Sequence, residues 1–529
     1  MLILSNIFVI LLVLLIGYWW ANQGLFSAIL HFVCVLLAGC VAFAVWEPMT
    51  IYVLGIEGMD WYHPSAWGIN FLLVFVVVLF GSRMLLDRLI PGNLDLPQWA
   101  NLTFGGALGI GSGVLTIGVL IIGIGFIQSH KYIAGYAGYG RSERTGDIVK
   151  YEQSLWVPVH YYAYEFFSRL SVGSLSTARP LRQYQPSLHI QSALVRDSYE
   201  EGVGQLHLSP DAAEVIGAAL VENGRRICQV TVDFDAPARD FGRQLTLSRS
   251  QVRLIGQASG SAEASVAYPD RWRGPTGNHE FINDPTAYVT SVPGQSEARI
   301  TFEFSVQPNM MPKFIQIRNT RFRLPQLQSG AGQGDLLAGA GSSSQQDATV
   351  DSSAPSIAGQ IEVNNNTRPL VAGVNRMPGG IEHEDRYLTS GKGEFPRSPG
   401  MRPSRNLRIR GFYEVSGTRI VKVTVSRNNP ADFYDYRDQV EDGAPLYLVD
   451  NQGSTYFPLG YMLVGDDSIT VELRPGRYVS TIDQMPLLPR TGDQELILVF
   501  SVTEGRTITG FKFGDLTVGT CNVEVEAEL

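Results

Sequence analysis

The chain opens with long apolar runs separated by short polar breaks. They occupy Leu2 to Trp20, Leu25 to Trp46, about Ala66 to Ile90, and Phe104 to Ile127. Each supplies the roughly 20 residues that a helix rising about 1.5 Å per residue needs to cross about 30 Å of hydrocarbon. Lipid offers no partner to a backbone amide or carbonyl, so four membrane-spanning helices are predicted. Beyond Ile127 the period changes. From about Ser154 to Leu170, Trp156, Val159, Ala163, Phe166 and Leu170 recur at steps of three and four and Phe167 widens the stripe, which predicts an amphipathic helix. Tyr161, Tyr162 and Tyr164 add rings suited to headgroup depth. Two placements fit: the outer membrane-water interface, or a dock on the domain that follows.

After Arg179 short alternating strands with glycine-containing turns take over, and they are duplicated. Arg226-Ile-Cys-Gln-Val-Thr-Val232 matches Arg419-Ile-Val-Lys-Val-Thr-Val425, and Phe304-Ser-Val306 matches Phe500-Ser-Val502 at nearly the same separation. Phe314-Ile-Gln-Ile317 and Phe511-Lys-Phe513 follow in turn. Two tandem all-β domains, each a two-sheet immunoglobulin-like sandwich, are predicted. In the second copy Leu446 to Val449, a turn at Asp450-Asn-Gln-Gly453, and Thr455 to Phe457 read as a hairpin. The matched positions align Cys228 with Val421, which makes Cys228 a core thiol. Residues 328–405 are rich in Gly, Ser, Gln, Asn and Pro and read as a flexible linker. The expected organisation is therefore a four-helix transmembrane module (1–127), a juxtamembrane segment (128–185), sandwich one (186–327), the linker (328–405) and sandwich two (406–529).

Charge sharpens this division. Only 7 of the first 127 residues are Asp, Glu, Lys or Arg, against 84 of the remaining 402, so the two parts are built for two solvents. A purely soluble enzyme and a disordered chain are excluded, and a net charge of −9 excludes a strongly basic nucleic-acid binder. The first segment lacks a basic leader and ends in Tyr18-Trp19-Trp20, which suits an uncleaved membrane helix. Arg83 and Arg88 mark one end of the third helix, with Asp87 placed to pair with Arg83 at i+4. The second loop is acidic. The arginine-bearing loop is expected inside and both ends of the bundle outside, although Lys131, Arg141 and Arg144 after the fourth helix pull the other way. Outside is the periplasm in an organism with two membranes.

The fourth helix carries Gly105, Gly109 and Gly113 at four-residue spacing. Small residues so placed let helices approach closely, either within one chain or between copies in a homo-oligomer. His31 is the one histidine within an apolar run, hence a candidate intramembrane polar site, read as a packed imidazole more than a proton relay. Cys34, Cys40, Cys228 and Cys521 have neither disulfide-framework nor zinc spacing. Nucleophile elbows, zinc-protease motifs, Walker loops and calcium loops are absent from the sequence. His279-Glu280 and His383-Glu384-Asp385 read as solvated loop residues, so no catalytic residue, metal or cofactor is expected.

Four short-looped helices, the glycine ladder opening the fourth after a polar third loop, and an amphipathic helix soon afterwards resemble the colicin V production protein family over about residues 1 to 180. The family's usual Arg-Gly in the first loop is Gln23-Gly24 here, and its Asp-Arg before the ladder is Asn101-Leu102. The resemblance implies an inner-membrane protein associated with toxin export and envelope homeostasis. Some members carry a periplasmic trypsin-like protease, for which this chain has no Gly-Asp-Ser-Gly-Gly nucleophile turn. Residues 406 to 520 resemble the telokin-like, immunoglobulin-like domains of bacterial exported proteins. The expected partners are the lipid bilayer and envelope or secretion proteins, with no nucleic acid. The alternative is a transporter or channel component whose sandwiches regulate the membrane module.

Overall fold

The structure is a computed structural model. It describes the chain apart from residues 1, 60, 91, 93, 95–96, 173–178, 199–204, 224, 240–244, 259–262, 275–276, 283, 285–286, 293–297, 330–349, 365–379, 385–386, 397–407, 410–416, 475–478, 480, 491–492 and 527–529. Four helices, α1 (Leu2–Gln23), α2 (Leu25–Leu54), α3 (His63–Leu89) and α4 (Gly106–Gly125), are long and apolar enough to cross a membrane, the last being prolonged backwards to Gln98 through a π-helical turn at Asn101–Gly105. The protein is a membrane protein on that ground. Its bundle has two distinct ends. At one, the first-loop and third-loop ends meet: Arg83 donates to the Ser27 carbonyl and hydroxyl and pairs with Asp87 at 2.7 Å, while Asn101 Oδ1 accepts from the Leu25 amide. At the other, the starts of α1 and α3 meet the chain leaving α4: Ser5 Oγ donates to the Ala134 carbonyl, the Gln128 amide to the Pro64 carbonyl.

The chain leaving α4 forms a short hairpin, β1 (Tyr139–Arg141) with β2 (Ile148–Lys150), and then α5 (Val159–Val172). This helix starts later than its stripe predicts. Pro158 supplies the carbonyl that accepts from the Tyr161 and Tyr162 amides, so Trp156 stays outside the helix. A single turn, α6 (Leu181–Tyr184), and α7 (Leu188–Leu194) follow, and the strands of the first β unit begin only at Ala213. Residues after 185 are thus a collar between bundle and sheets before they become a sandwich.

The first β unit contains β3 (Ala213–Asn223), β4 (Arg225–Phe234), β5 (Val252–Ala258), β6 (Ala264–Ala267), β7 (Arg271–Gly274), β8 (Gly277–Glu280), β9 (Ala298–Ser305), β10 (Met310–Ile317) and β11 (Thr320–Arg323). One sheet runs β3-β4-β9-β7-β8, with a parallel scrap at Gln328–Ser329 beside β3; the other runs β11-β10-β5-β6. Val230 and Phe302 from the first sheet share a buried cluster with Leu254 and Ile315 from the second. Alternation of apolar residues along each strand is what closes two sheets over one core.

The second unit repeats this order. Its strands are β12 (Ile361–Asn364), β13 (Ile381–Glu384), β14 (Tyr387–Pro396), β15 (Thr418–Val425), β16 (Leu446–Asp450), β17 (Thr455–Tyr456), β18 (Gly460–Val464), β19 (Ser468–Leu473), β20 (Glu495–Thr503), β21 (Arg506–Phe513) and β22 (Leu516–Val525). One sheet runs β12-β15-β20-β18-β19 and continues through β14 and β13; the other runs β22-β21-β16-β17. Even the register is shared: Cys228 faces Phe304 as Val421 faces Phe500. The predicted hairpin is β16 and β17.

Part of the expected linker is structured. Residues from Val350 lie along β22, where the Ile357 amide donates to the Thr520 carbonyl and the Thr520 amide to the Pro355 carbonyl, each at 2.8 Å; β12, β13 and β14 then add strands. The second unit therefore starts near Val350 and not at residue 406. The physical reason is that an existing sheet edge supplies backbone partners, so sparse apolar residues such as Ile357, Leu388 and Phe395, all buried, suffice to anchor a polar segment. Residues 330–349 and most of 397–416 lie outside the described residues.

Candidate functional site at the seam between bundle and first β unit

Charge is concentrated where the bundle meets the first β unit. α2 is 30 residues long, about 45 Å, and its apolar run ends at Trp46. Immediately beyond, Glu47 pairs with Arg321 of β11; the guanidinium also donates to the Tyr184 carbonyl and lies over the Tyr184 ring, 3.6 Å from its centroid. Both side chains are nearly buried. Nearby, Asp197 accepts from Arg141 and from the Ser250 hydroxyl, each at 2.8 Å, with the Lys131 ammonium at 3.4 Å. Burial, the largest single influence, would lower the pKa of Arg141 and of Lys131, but the Asp197 carboxylate acting together with neighbouring tyrosines, Tyr288 beside Arg141 and Tyr151 and Tyr132 beside Lys131, leaves both raised. Arg249 likewise sits between Asp147 and Asp270.

Among the described residues three arginines in the seam, Arg196, Arg253 and Arg318, are fully buried and serve the backbone, Arg196 by donating to the His130 carbonyl. Arg253 donates to the Pro186 carbonyl and to Gln185 and Gln316; Arg318 donates to the His207 and Ala238 carbonyls and to Gln205. An irregular collar buried between two domains exposes carbonyls with no ladder to join, and the guanidinium has five donors to offer them. Arg318 holds φ at 54°, the left-handed region, at the turn between β10 and β11. The seam also collects imidazoles. His160 of α5 meets His189 of α7 with ring centroids 5.9 Å apart, and His63 of α3 meets His207 at 5.3 Å.

The glycine ladder faces α1. A Cβ on Gly109 would lie 2.9 Å from the Gly17 Cα, one on Gly113 would lie 3.1 Å from the Val13 carbonyl oxygen, and Gly105 abuts the Trp20 and Leu25 backbones. These glycines thus let α1 and α4 approach backbone to backbone within one chain. Other glycines of α4 serve other neighbours. Gly118 lies under Val159 and Ala163 of α5, Gly123 against Leu72 of α3, and Gly125 against Ser192 of α7. One helix without side-chain bulk on several faces accepts four elements around it.

α5 is held on two sides. Val159, Ala163 and Phe167 face the bundle and are buried; His160 and Tyr164 turn towards α7 and are also buried. Phe166 and Leu170 are partly buried beside the same cluster, while Trp156 remains 61% exposed, its amide donating to Asn6 Oδ1. His31 is stacked on Trp20 at 4.0 Å, and the Arg83 guanidinium approaches the same indole at 5.0 Å. It lies at the first-loop end of the bundle, away from the seam. His279 stacks on Trp272 and Glu280 pairs with Arg271, so these strand neighbours do not converge; Asp385 lies outside the described residues. Among the described residues no three His, Cys, Asp or Glu side chains come together as a metal site.

Sequence reasoning did not find Glu47, Asp197, Arg253, Arg318 or Arg321. Their partners lie far along the chain, Arg321 and Glu47 being 274 residues apart, and no local pattern reports such a pairing. Glu47 alone left a trace, as the first charge after an apolar run. No family model, curated protein or solved structure matches this chain.

Proposed function

We propose that this is a non-enzymatic inner-membrane protein whose colicin V production-like bundle presents two immunoglobulin-like sandwiches at the periplasmic face, where they bind proteins or other envelope components in toxin export or envelope homeostasis. The observation that carries this reading is the Glu47–Arg321 pair. It joins the first β unit to a membrane helix as a fixed platform, the geometry expected of a display scaffold. The arginine-bearing end formed by Arg83 and Arg88 lies at the opposite end of the bundle, which supports a cytoplasmic placement there. Trp46, Phe71 and Phe126 fill the space between α2, α3 and α4 with ring contacts of 5.2 to 5.4 Å, which favours a scaffold over a conduit. The ladder's use against α1 favours packing within one chain over a glycine-mediated homo-oligomer.

The experiment is reconstitution of the purified chain into vesicles, paired with photo-crosslinking in cells from Leu487, which is 69% exposed on the second β unit. A specific envelope protein crosslinked at Leu487, with vesicles that stay impermeable to ions and small solutes, is the expected result. Solute flux that disappears in Gly109→Leu, with no crosslinked partner, would replace this reading with a transporter component.

A further inference from the structure

Eight histidines occur in the chain, and four of them form two pairs in the seam, of which His160 and His189 are buried and His63 and His207 partly so. The pair on α5 and α7 has the more telling position. α5 bridges α1 and α2 across α4: Val159 shares a buried cluster with Val9 and Val13 of α1, while Phe167 occupies the space beside Gly39 of α2. On its other side, His160 and Tyr164 are the face that meets α7. His160 Nε2 lies 3.1 Å from the Tyr136 hydroxyl, His189 lies among the rings of Tyr139, Tyr161 and Tyr164, and both Nδ1 atoms are buried without a hydrogen-bond partner among the described residues.

We propose that α5 is an acid-released wedge: charging His160 and His189 drives α5 and α7 apart and frees the element that bridges the outer halves of α1 and α2. The surrounding groups offer the imidazolium little compensation. Facing His160 are Tyr136, His189 and the Lys150 cation of β2, with Arg196 beyond Tyr136; α4 carries no titratable residue. Facing His189 are His160 and the three tyrosines, and Tyr164 in turn faces Glu165, Arg182 and Arg253. Glu165 is engaged by Arg169, and Asp197 by Arg141 and Lys131.

The direction follows from linkage. Burial, with Lys150 as a lesser cause, holds docked His160 down at about 4; burial, with His160 as a lesser cause, holds docked His189 at about 3; a solvated imidazole titrates near 6.5. Protons therefore favour the released state. Docking is at full strength well above pH 6.5 and weakens as the pH falls through 6.5 towards 4 for His160 and 3 for His189. At pH 5 each group raises the released-to-docked ratio by about 20- to 25-fold over its value at pH 7.

Hydrogen exchange of the full chain in lipid nanodiscs, corrected for intrinsic exchange rates, reads this at Val159–Val172 and Leu188–Leu194. Protection there should fall by at least tenfold between pH 7.5 and pH 5 and return on neutralisation. His160→Gln and His189→Phe should each show a weaker response and the double variant none, whereas the segment around His207 should respond alike in all. Unchanged protection in the wild type at pH 5 would overturn the proposal, as would a full response in the double variant. The single variants and the wild type decide the matter even where the double variant fails to dock.

Discussion

The ring of Phe167 stands where any side chain on residue 39 would have to be. Gly39 sits midway along α2, and the contact fixes how deeply α5 enters the bundle. Replacing Gly39 with leucine should therefore expel the ring, an overpacking cost of about 1–3 kcal/mol. The loss should be largely recovered in Gly39→Leu/Phe167→Ala, because removing the ring removes the clash and the leucine fills the space the ring leaves. Thermal unfolding of the detergent-solubilised variants measures both. Additive losses would mean that the ring and the glycine are not in contact.

The Glu47–Arg321 pair gives a second prediction. With Arg321 buried and Glu47 nearly so, removing either charge leaves the other uncompensated, so Glu47→Gln or Arg321→Gln should cost about 3–5 kcal/mol. The double replacement should cost distinctly less than the sum of the singles. A double-mutant cycle on denaturant unfolding of the bundle and first β unit measures the coupling, and zero coupling would contradict the platform geometry.

The repeat itself can be tested at its matched positions. Cys228 occupies the place of Val421, is wholly buried, and burial pushes its thiol up to about 12. Cys228→Val should change stability by less than about 1.5 kcal/mol, since the two side chains are of similar size. Native Cys228 should resist alkylation at pH 8 until the first unit unfolds, as mass spectrometry of labelled peptides would report. Rapid labelling in the folded chain would place the thiol outside the core.

How much of this was legible beforehand depends on the range of the interactions. The four spans were readable because hydrocarbon imposes a local rule on length and polarity, and the duplication was readable because Arg226 to Val232 and Arg419 to Val425 repeat a core pattern. The Arg83–Asp87 pair, four residues apart on one helix, was also within reach. Where α5 docks was not: its stripe specifies an apolar face, and the choice of Gly118 and Gly39 as the surface beneath it is made by residues 40 to 130 positions away. The same holds for the segment from Val350 to Asn364, whose composition is that of a linker and whose order comes from the edges of β15 and β22. Buried arginines were the least legible of all, because Arg253 and Arg318 answer to backbone carbonyls that only the folded collar exposes.

In the proposed orientation the bundle carries both β units on one side of the membrane, opposite the loop that follows Arg83 and Arg88. Paired alkaline phosphatase fusions, one after Ile127 and one in the third loop near Gly92, report that orientation. An active reporter at Ile127 and an inactive one at Gly92 is the expected result; an inactive reporter at Ile127 with an active one at Gly92 would overturn it.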